Sequence, residues 1–237
     1  MIHNFDMKRI IVTISALTLL AGVLSAQENF RRGWALDLGA GASYTFGSDP
    51  DRVIAMSSAY LRGAKEAGVA VSIKHFPGDG KDERDQHIVT SINSCSDEEW
   101  MNSYGKIYQT LIDQGAETVM VGHIALPSIV EALNPEATNK EKLYPATLSK
   151  ELLTGLLRGR LGFNGMISTD ATPMIGYMSV MPRKKALPAT IMAGCDMILF
   201  NKDLDEDWAW MREAVENGDL TMERLNEAGV KRLGAIH

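Results

Sequence analysis

Between Val69 and His87 the chain reads VAVSIKHFPGDGKDERDQH, and much of its acid/base chemistry is gathered there. Lys74 and His75 place a cation and an imidazole at the end of a short apolar run, and Asp82, Glu83, Arg84, Asp85 and His87 follow in a polar loop. Asp85 and His87 are near enough in sequence for the carboxylate to hydrogen-bond the imidazole, fix its tautomer and make it a better proton carrier. Far downstream, Asp170 stands directly after the apolar run Met166-Ile167-Ser168-Thr169. A carboxylate in such a place serves as a nucleophile, a general base or a metal ligand. No cluster at metal-ligand spacing accompanies it, which argues against a metal. What remains is one carboxylate nucleophile with one His–Asp acid/base pair. That set suits a retaining double displacement of the kind used to cleave glycosides, with imidazole in place of the usual second carboxylate. Lys74 and His75 would then donate hydrogen bonds to sugar hydroxyls. A merely solvated, charged loop is the competing reading of the same residues.

The elements that must position these groups alternate in type. Asp49-Pro50 opens a helix from about Asp51 to Ala67, with Val53, Met56, Tyr60, Ala64 and Ala67 on one face and Gly68 as its stop. Val69–Ile73 reads as a buried strand, ended by a Pro-Gly-Asp-Gly turn. Ser96 caps the next helix, Glu99 completes a capping box, and Trp100, Tyr104, Ile107, Tyr108, Leu111 and Ile112 make its apolar stripe. Thr118 to His123 is a second strand, followed by a long loop with Pro127, Pro135 and Pro145. Ser149 starts a helix with Leu152, Leu153, Leu156, Leu157 and Leu161 on its buried face. Met166–Thr169 and Asp196–Phe200 are the third and fourth strands, with a short helix from Lys185 to Ala193 between them and a helix pair from about Asp205 onward. Four strand–helix alternations without a hairpin signal predict a parallel sheet, in a barrel or a doubly wound fold. The strand ends carry Lys74-His75, His123, Asp170 and Asn201, and such groups on successive strands converge on one rim.

Composition sets outer bounds. The chain has 237 residues and a net charge of −6, with no basic cluster, which argues against a nucleic-acid partner. Cys95 and Cys195 lack metal spacing and their pairing is open, although the apolar setting AGCDMILF suits Cys195 as a buried free thiol. Lys8-Arg9, an apolar run from Ile10 to Leu24 and Ser25-Ala26 form the pattern of a secretory signal, starting at Met1 or Met7 and ending at about Ala26. A membrane anchor is the rival, but a run of about 15 residues falls short of the ~20 that span a bilayer. The expectation is a secreted or periplasmic protein without stable membrane insertion after cleavage. Gln27 to Tyr44 is an irregular, Gly-rich stretch, and its Gly39-Ala40-Gly41 lacks the rest of a dinucleotide fingerprint.

The motifs KHFPGDG, DERDQH, GHIALP, PATLSKELLTGLLRGRLGFNGMISTDATPM and AGCDMILF together resemble glycoside hydrolase family 3, in particular its single-domain β-N-acetylglucosaminidases. FGSDPDRV adds to the likeness, which runs from about Phe46 to the end of the chain. The resemblance implies a (β/α)8 barrel, retaining chemistry and no cofactor. It implies Asp170 as the nucleophile, His87 as the acid/base, Asp85 as its partner and Lys74-His75 as the sugar-binding pair; His123, at the next strand end, is expected on the substrate side with them. The catalytic domain would span residues 45–237. Terminal β-linked N-acetylglucosamine is the implied substrate. A β-glucosidase remains a rival, and phosphate remains an alternative acceptor, since a neutral imidazole repels it less than a carboxylate does.

Two departures stand against this. The family barrel has about eight strand–helix units, whereas only four are clear here, so the chain reads as about half a barrel, truncated at its N-terminal side. Tyr44 stands where the family has a sugar-contacting arginine ahead of Phe46-Gly47. Half a barrel exposes strand edges, which suggests a homodimer or a complementing fragment. A catalytically inactive remnant, or a sugar-binding module, is the reading from another functional class.

Overall fold

The computed structural model describes residues 46–234. The predicted signal, the Gly-rich stretch and Tyr44 lie outside the described residues. No helix among the described residues is long and apolar enough to cross a membrane.

Asp49 caps helix α1 (Pro50–Glu66) by accepting the Arg52 N–H at 2.8 Å, and Gly68, at φ +72°, turns the chain away from its end. The buried face differs from the predicted one. Val53, Ser57, Ser58 and Leu61 point inward, while Met56 and Tyr60 are exposed. Two small serines are part of this buried face, where hydrophobicity alone would place larger residues.

Strand β1 is Ser72–Phe76, set later than predicted: Val69 is exposed, and Lys74 and His75 lie within the strand. Its pairing with β3 (Thr118–Val121) fixes that position, through Ser72 opposite Thr118 and Phe76 opposite Val121, with an irregularity between. β5 (Met166–Ala171) and β6 (Met197–Leu199) complete a four-stranded, wholly parallel sheet in the order β1-β3-β5-β6. The predicted parallel alternation is therefore present. A separate short ladder pairs β2 (Ser91–Ile92) with β4 (Ile124–Ala125), also in parallel.

The helices between strands cover the sheet. α2 (Asp97–Trp100), a π-helical turn (Met101–Gly105) and α3 (Lys106–Asp113) run on without a break. Ser96 Oγ accepts the Glu99 N–H at 3.1 Å, and the Glu99 carboxylate pairs with Lys81. The stretch predicted as a long loop after β3 contains α4 (Pro127–Leu133) and α5 (Asn139–Lys142), because Pro127 sits in the first turn, where its missing N–H costs nothing. The leucine-rich segment is a π-helix, Glu151–Arg160, and Leu152, Leu153, Leu156 and Leu157 are fully buried as predicted. After β5 come α6 (Ile175–Met178) and α7 (Arg183–Ala193); α8 (Leu204–Asn217) and α9 (Met222–Gly234) follow β6.

The core joins the leucines to an aromatic group, with Phe76 edge-on to Trp100 and Tyr108 at 6.1 and 5.2 Å. Each such large side chain contributes about 2–3 kcal/mol by leaving water. Asp196, buried at the foot of β6, binds Arg158 at 2.6 Å and Arg224 at 2.8 Å, which ties the π-helix and α9 to the sheet. Cys95 and Cys195 are both free and buried, and burial pushes both thiols up.

Candidate active site

Asp170 is the penultimate residue of β5, which lies between β3 and β6. One carboxylate oxygen accepts the Ala171 N–H at 2.7 Å, and the other lies 3.5 Å from His75 Nε2. The Nδ1 of His75 meets the Asp79 carboxylate at 2.9 Å, so one imidazole stands between two carboxylates. His75 and Asp170 are largely shielded, with 13% and 16% of their side-chain surface exposed. The Lys74–His75 and Phe76–Pro77 peptide bonds are cis.

Asp79 belongs to the turn Pro77-Gly78-Asp79-Gly80, and that turn is clamped from the helix side. Trp100 donates its indole N–H to the Pro77 carbonyl at 2.8 Å, Asn93 donates to the Gly78 carbonyl at 3.1 Å, and the Tyr104 hydroxyl donates to the Asp79 carbonyl at 2.8 Å. Gly78 has φ +119°, and a Cβ there would come within 2.2 Å of the Tyr104 ring. The aromatic stripe predicted as core is thus also the support of the turn. Asp79 was not among the predicted site residues. Its signal was its place four residues after His75, hidden inside a sequence that reads as a turn.

His123, expected on the substrate side, lies just beyond the end of β3. The residue is fully buried. Its Nε2–H donates to the Ala171 carbonyl at 3.0 Å, and its Nδ1 accepts the Thr147 hydroxyl at 3.1 Å. The ring lies 5.3 Å from that of Tyr177. Burial pushes its pKa down, so the neutral ring holds the backbone beside Asp170 rather than facing the rim. Asn201, predicted at the last strand end, donates to Asp207 at 3.1 Å and joins a buried network with Arg183.

The loop residues are supported differently. Asp82 binds the Arg84 guanidinium and accepts the N–H groups of Arg84 and Ile92, which pins the base of the loop to β2. The Arg84 side chain, foremost among these contacts, holds the Asp82 carboxyl well below its usual range. Asp85 accepts the His87 N–H at 2.9 Å and meets His87 Nδ1 at 2.6 Å. The backbone N–H first, then the imidazole, hold the Asp85 carboxyl below its ordinary value. With Nδ1–H committed to Asp85, the Nε2 of His87 is left to accept or donate a proton, and 69% of the His87 side chain is exposed. The His87 carbonyl accepts the Ile175 N–H at 3.0 Å and Thr90 donates to the Gly176 carbonyl at 2.7 Å, so the loop is tied to the segment that follows Asp170. Lys74, half-buried in β1, precedes His75.

The arrangement brings a shielded carboxylate and an exposed, carboxylate-oriented imidazole onto neighbouring segments. The first can attack an electrophilic carbon, and the second can give and take a proton.

The Glycosyl hydrolase family 3 N terminal domain matches residues 37–235. A beta-N-acetylglucosaminidase/beta-glucosidase of Cellulomonas fimi is 50% identical over 192 residues, covering 81% of this chain and 34% of that protein. A beta-hexosaminidase of Stenotrophomonas maltophilia is 33% identical over 168 residues, covering 69% and 47%. Among solved structures, the beta-glucoside phosphorylase BglX bound to 2FGlc is similar at a TM-score of 0.79 with 46% identity, covering 86% of this chain and 38% of that one. A family 3 beta-N-acetylglucosaminidase from Paenibacillus is similar at 0.72 with 26% identity, covering 84% and 37%. The chain thus spans less than half the length of each of these proteins. The fold is of the TIM-barrel type, and the described residues carry four of its parallel strands.

Proposed function

The chain belongs to the Glycosyl hydrolase family 3 N terminal domain family, and from that premise we propose that it cleaves terminal β-linked N-acetylglucosamine from oligosaccharides with retention of configuration. The observation that carries this reading is the pairing of Asp170, shielded beside His75, with the Asp85-oriented imidazole of His87. Asp170 attacks the anomeric carbon, and the bond to the leaving oxygen breaks as the protonated His87 gives its Nε2 proton to that oxygen. The product is a covalent glycosyl ester of Asp170. The now neutral His87 then takes a proton from water, which attacks the same carbon and releases Asp170. Asp85 stabilises the imidazolium in each half-reaction. His75 and Lys74 supply hydrogen-bond donors to the sugar. The N-acetyl preference rests on the names of the Cellulomonas and Paenibacillus relatives. Export directed by residues 1–26 is part of the same proposal.

The test is hydrolysis of an aryl N-acetyl-β-glucosaminide by the full chain and by its Asp170→Asn form, together with mass analysis after exposure to a fluorosugar that traps the ester. Turnover lost with Asp170, and a glycosyl adduct on the peptide that contains it, support the reading. Absence of both from the unsubstituted chain favours the inactive remnant. The 46% identity to a beta-glucoside phosphorylase supports a second reading in which phosphate replaces water in the second step. Release of a sugar 1-phosphate in phosphate buffer would decide for it.

A further inference from the structure

We propose that Gln86 is the positioning residue of the acid/base pair, holding Asp85 and His87 on the outer side of their loop. The inference rests on the reading of His87 as the acid/base. In the run Asp85-Gln86-His87 the two outer side chains are 60% and 69% exposed, whereas Gln86 is buried at 7%. Its Oε1 accepts the His123 N–H at 2.8 Å, at the carboxyl end of β3. A Cβ on Gly122 would lie 2.9 Å from that oxygen, and a Cβ on Gly176 would lie 2.4 Å from the Gln86 carbonyl. Both neighbouring segments therefore leave room for this residue by carrying no side chain. The contact links the loop to the same histidine whose Nε2–H holds the Ala171 carbonyl beside Asp170. One buried amide oxygen thus ties the acid/base loop to the backbone of His123, whose ring in turn holds the nucleophile strand. With Gln86 pointing in, residues on either side of it point out, and the Asp85–His87 hydrogen bond closes across it.

Kinetics and one spectroscopic readout test this in the full chain. Gln86→Ala should lose about 100-fold on substrates with poor leaving groups, and less than about 5-fold on activated aryl glycosides. Gln86→Glu keeps an acceptor oxygen and should recover to within about 5-fold of the unsubstituted protein. Adding Gln86→Ala to His87→Ala should cost nothing further, since both act through one imidazole. A purely structural role predicts equal loss on both substrates and additive effects, and either result would overturn the proposal. Long-range proton–nitrogen correlation reports the His87 tautomer without any turnover. The Nδ1–H form should dominate in the unsubstituted protein and in Gln86→Glu, and give way to a mixture in Gln86→Ala. An unchanged tautomer in Gln86→Ala sinks the inference. If His87→Ala itself shows no dependence on the leaving group, the acid/base reading fails instead, and the tautomer still judges Gln86. Should Gln86→Ala not fold, Gln86→Met, which keeps the volume and lacks the oxygen, takes its place in every comparison.

Discussion

Asp170 leaves the sheet from β5, flanked by β3 and β6, and it and His75 of β1 are shielded. His87 sits in a loop between β1 and β2, bonded to a carboxylate two residues away and open to solvent. The first support is stiff because parallel ladders, the buried His123 ring and the clamped turn all converge on it. The second is held at separate points along an otherwise exposed loop: Asp82 at the base, Gln86 in the middle, and the Ile175 N–H and the Gly176 carbonyl beyond. The difference follows what each atom must do. A nucleophile forms one bond in one direction, and an error of an ångström there costs heavily. An acid that becomes a base must meet the leaving oxygen first and water afterwards, so exposure serves it.

The largest effect should come from the stiff side. Asp170→Asn should lower turnover on the order of 10^4-fold or more with every leaving group, at an unchanged melting temperature. A loss confined to poor leaving groups would contradict the division of labour. On the loop side, His87→Ala should cost about 10^2- to 10^4-fold with poor leaving groups and far less with activated ones. Equal losses on both would remove His87 from proton transfer.

A third substitution probes the tie between the two regions. Gly176→Val places a side chain where a Cβ already lies 2.4 Å from the Gln86 carbonyl and 2.8 Å from that of Val89. Neither backbone can yield freely, so stability should fall by about 1–3 kcal/mol. Any activity that remains should show the leaving-group pattern of a displaced His87. A Gly176→Val protein with unchanged melting and unchanged kinetics would show that the loop does not depend on this contact.

The stiff region was the more legible in sequence. Short apolar runs ended by glycine or a polar residue mark β3, β5 and β6, and the leucine spacing marks the helix that covers them. Asp170 could be read because a carboxylate directly after a buried run has few structural reasons to be there. Position along a strand was less legible. Val69-Ala70-Val71 looks like the start of β1, yet pairing with Thr118 places the strand at Ser72. The loop pair was visible as D-x-H, while its anchor was not. Gln86 gains its role from the His123 N–H, 37 residues away, and no local pattern encodes that contact. For the same reason His123 reads as a rim residue until Thr147 and the Ala171 carbonyl are seen to occupy both of its nitrogens.

The smallest predicted effect is a slope, and it distinguishes a buried tether from a rim histidine. The ordinary His123 value is 6.5, and the folded protein lowers it, chiefly through burial. His75 and His87 push it the same way, while the Ala171 carbonyl and the Asp170 charge oppose them. In the window between the lowered value and 6.5 the unfolded chain holds a proton that the folded chain does not. The contribution of His123 to stability is therefore complete above pH 6.5 and is lost as the pH falls through that window. His123→Gln keeps an amide donor near the Ala171 carbonyl and cannot titrate. Its stability at neutral pH should be lower, because the ring packing against Tyr177 is lost. Its decline from pH 7 to pH 5 should be shallower than that of the unsubstituted protein. Denaturant unfolding at a series of pH values measures both. Parallel slopes would mean that His123 titrates freely in the folded state, which a ring held on both nitrogens beneath the rim cannot do.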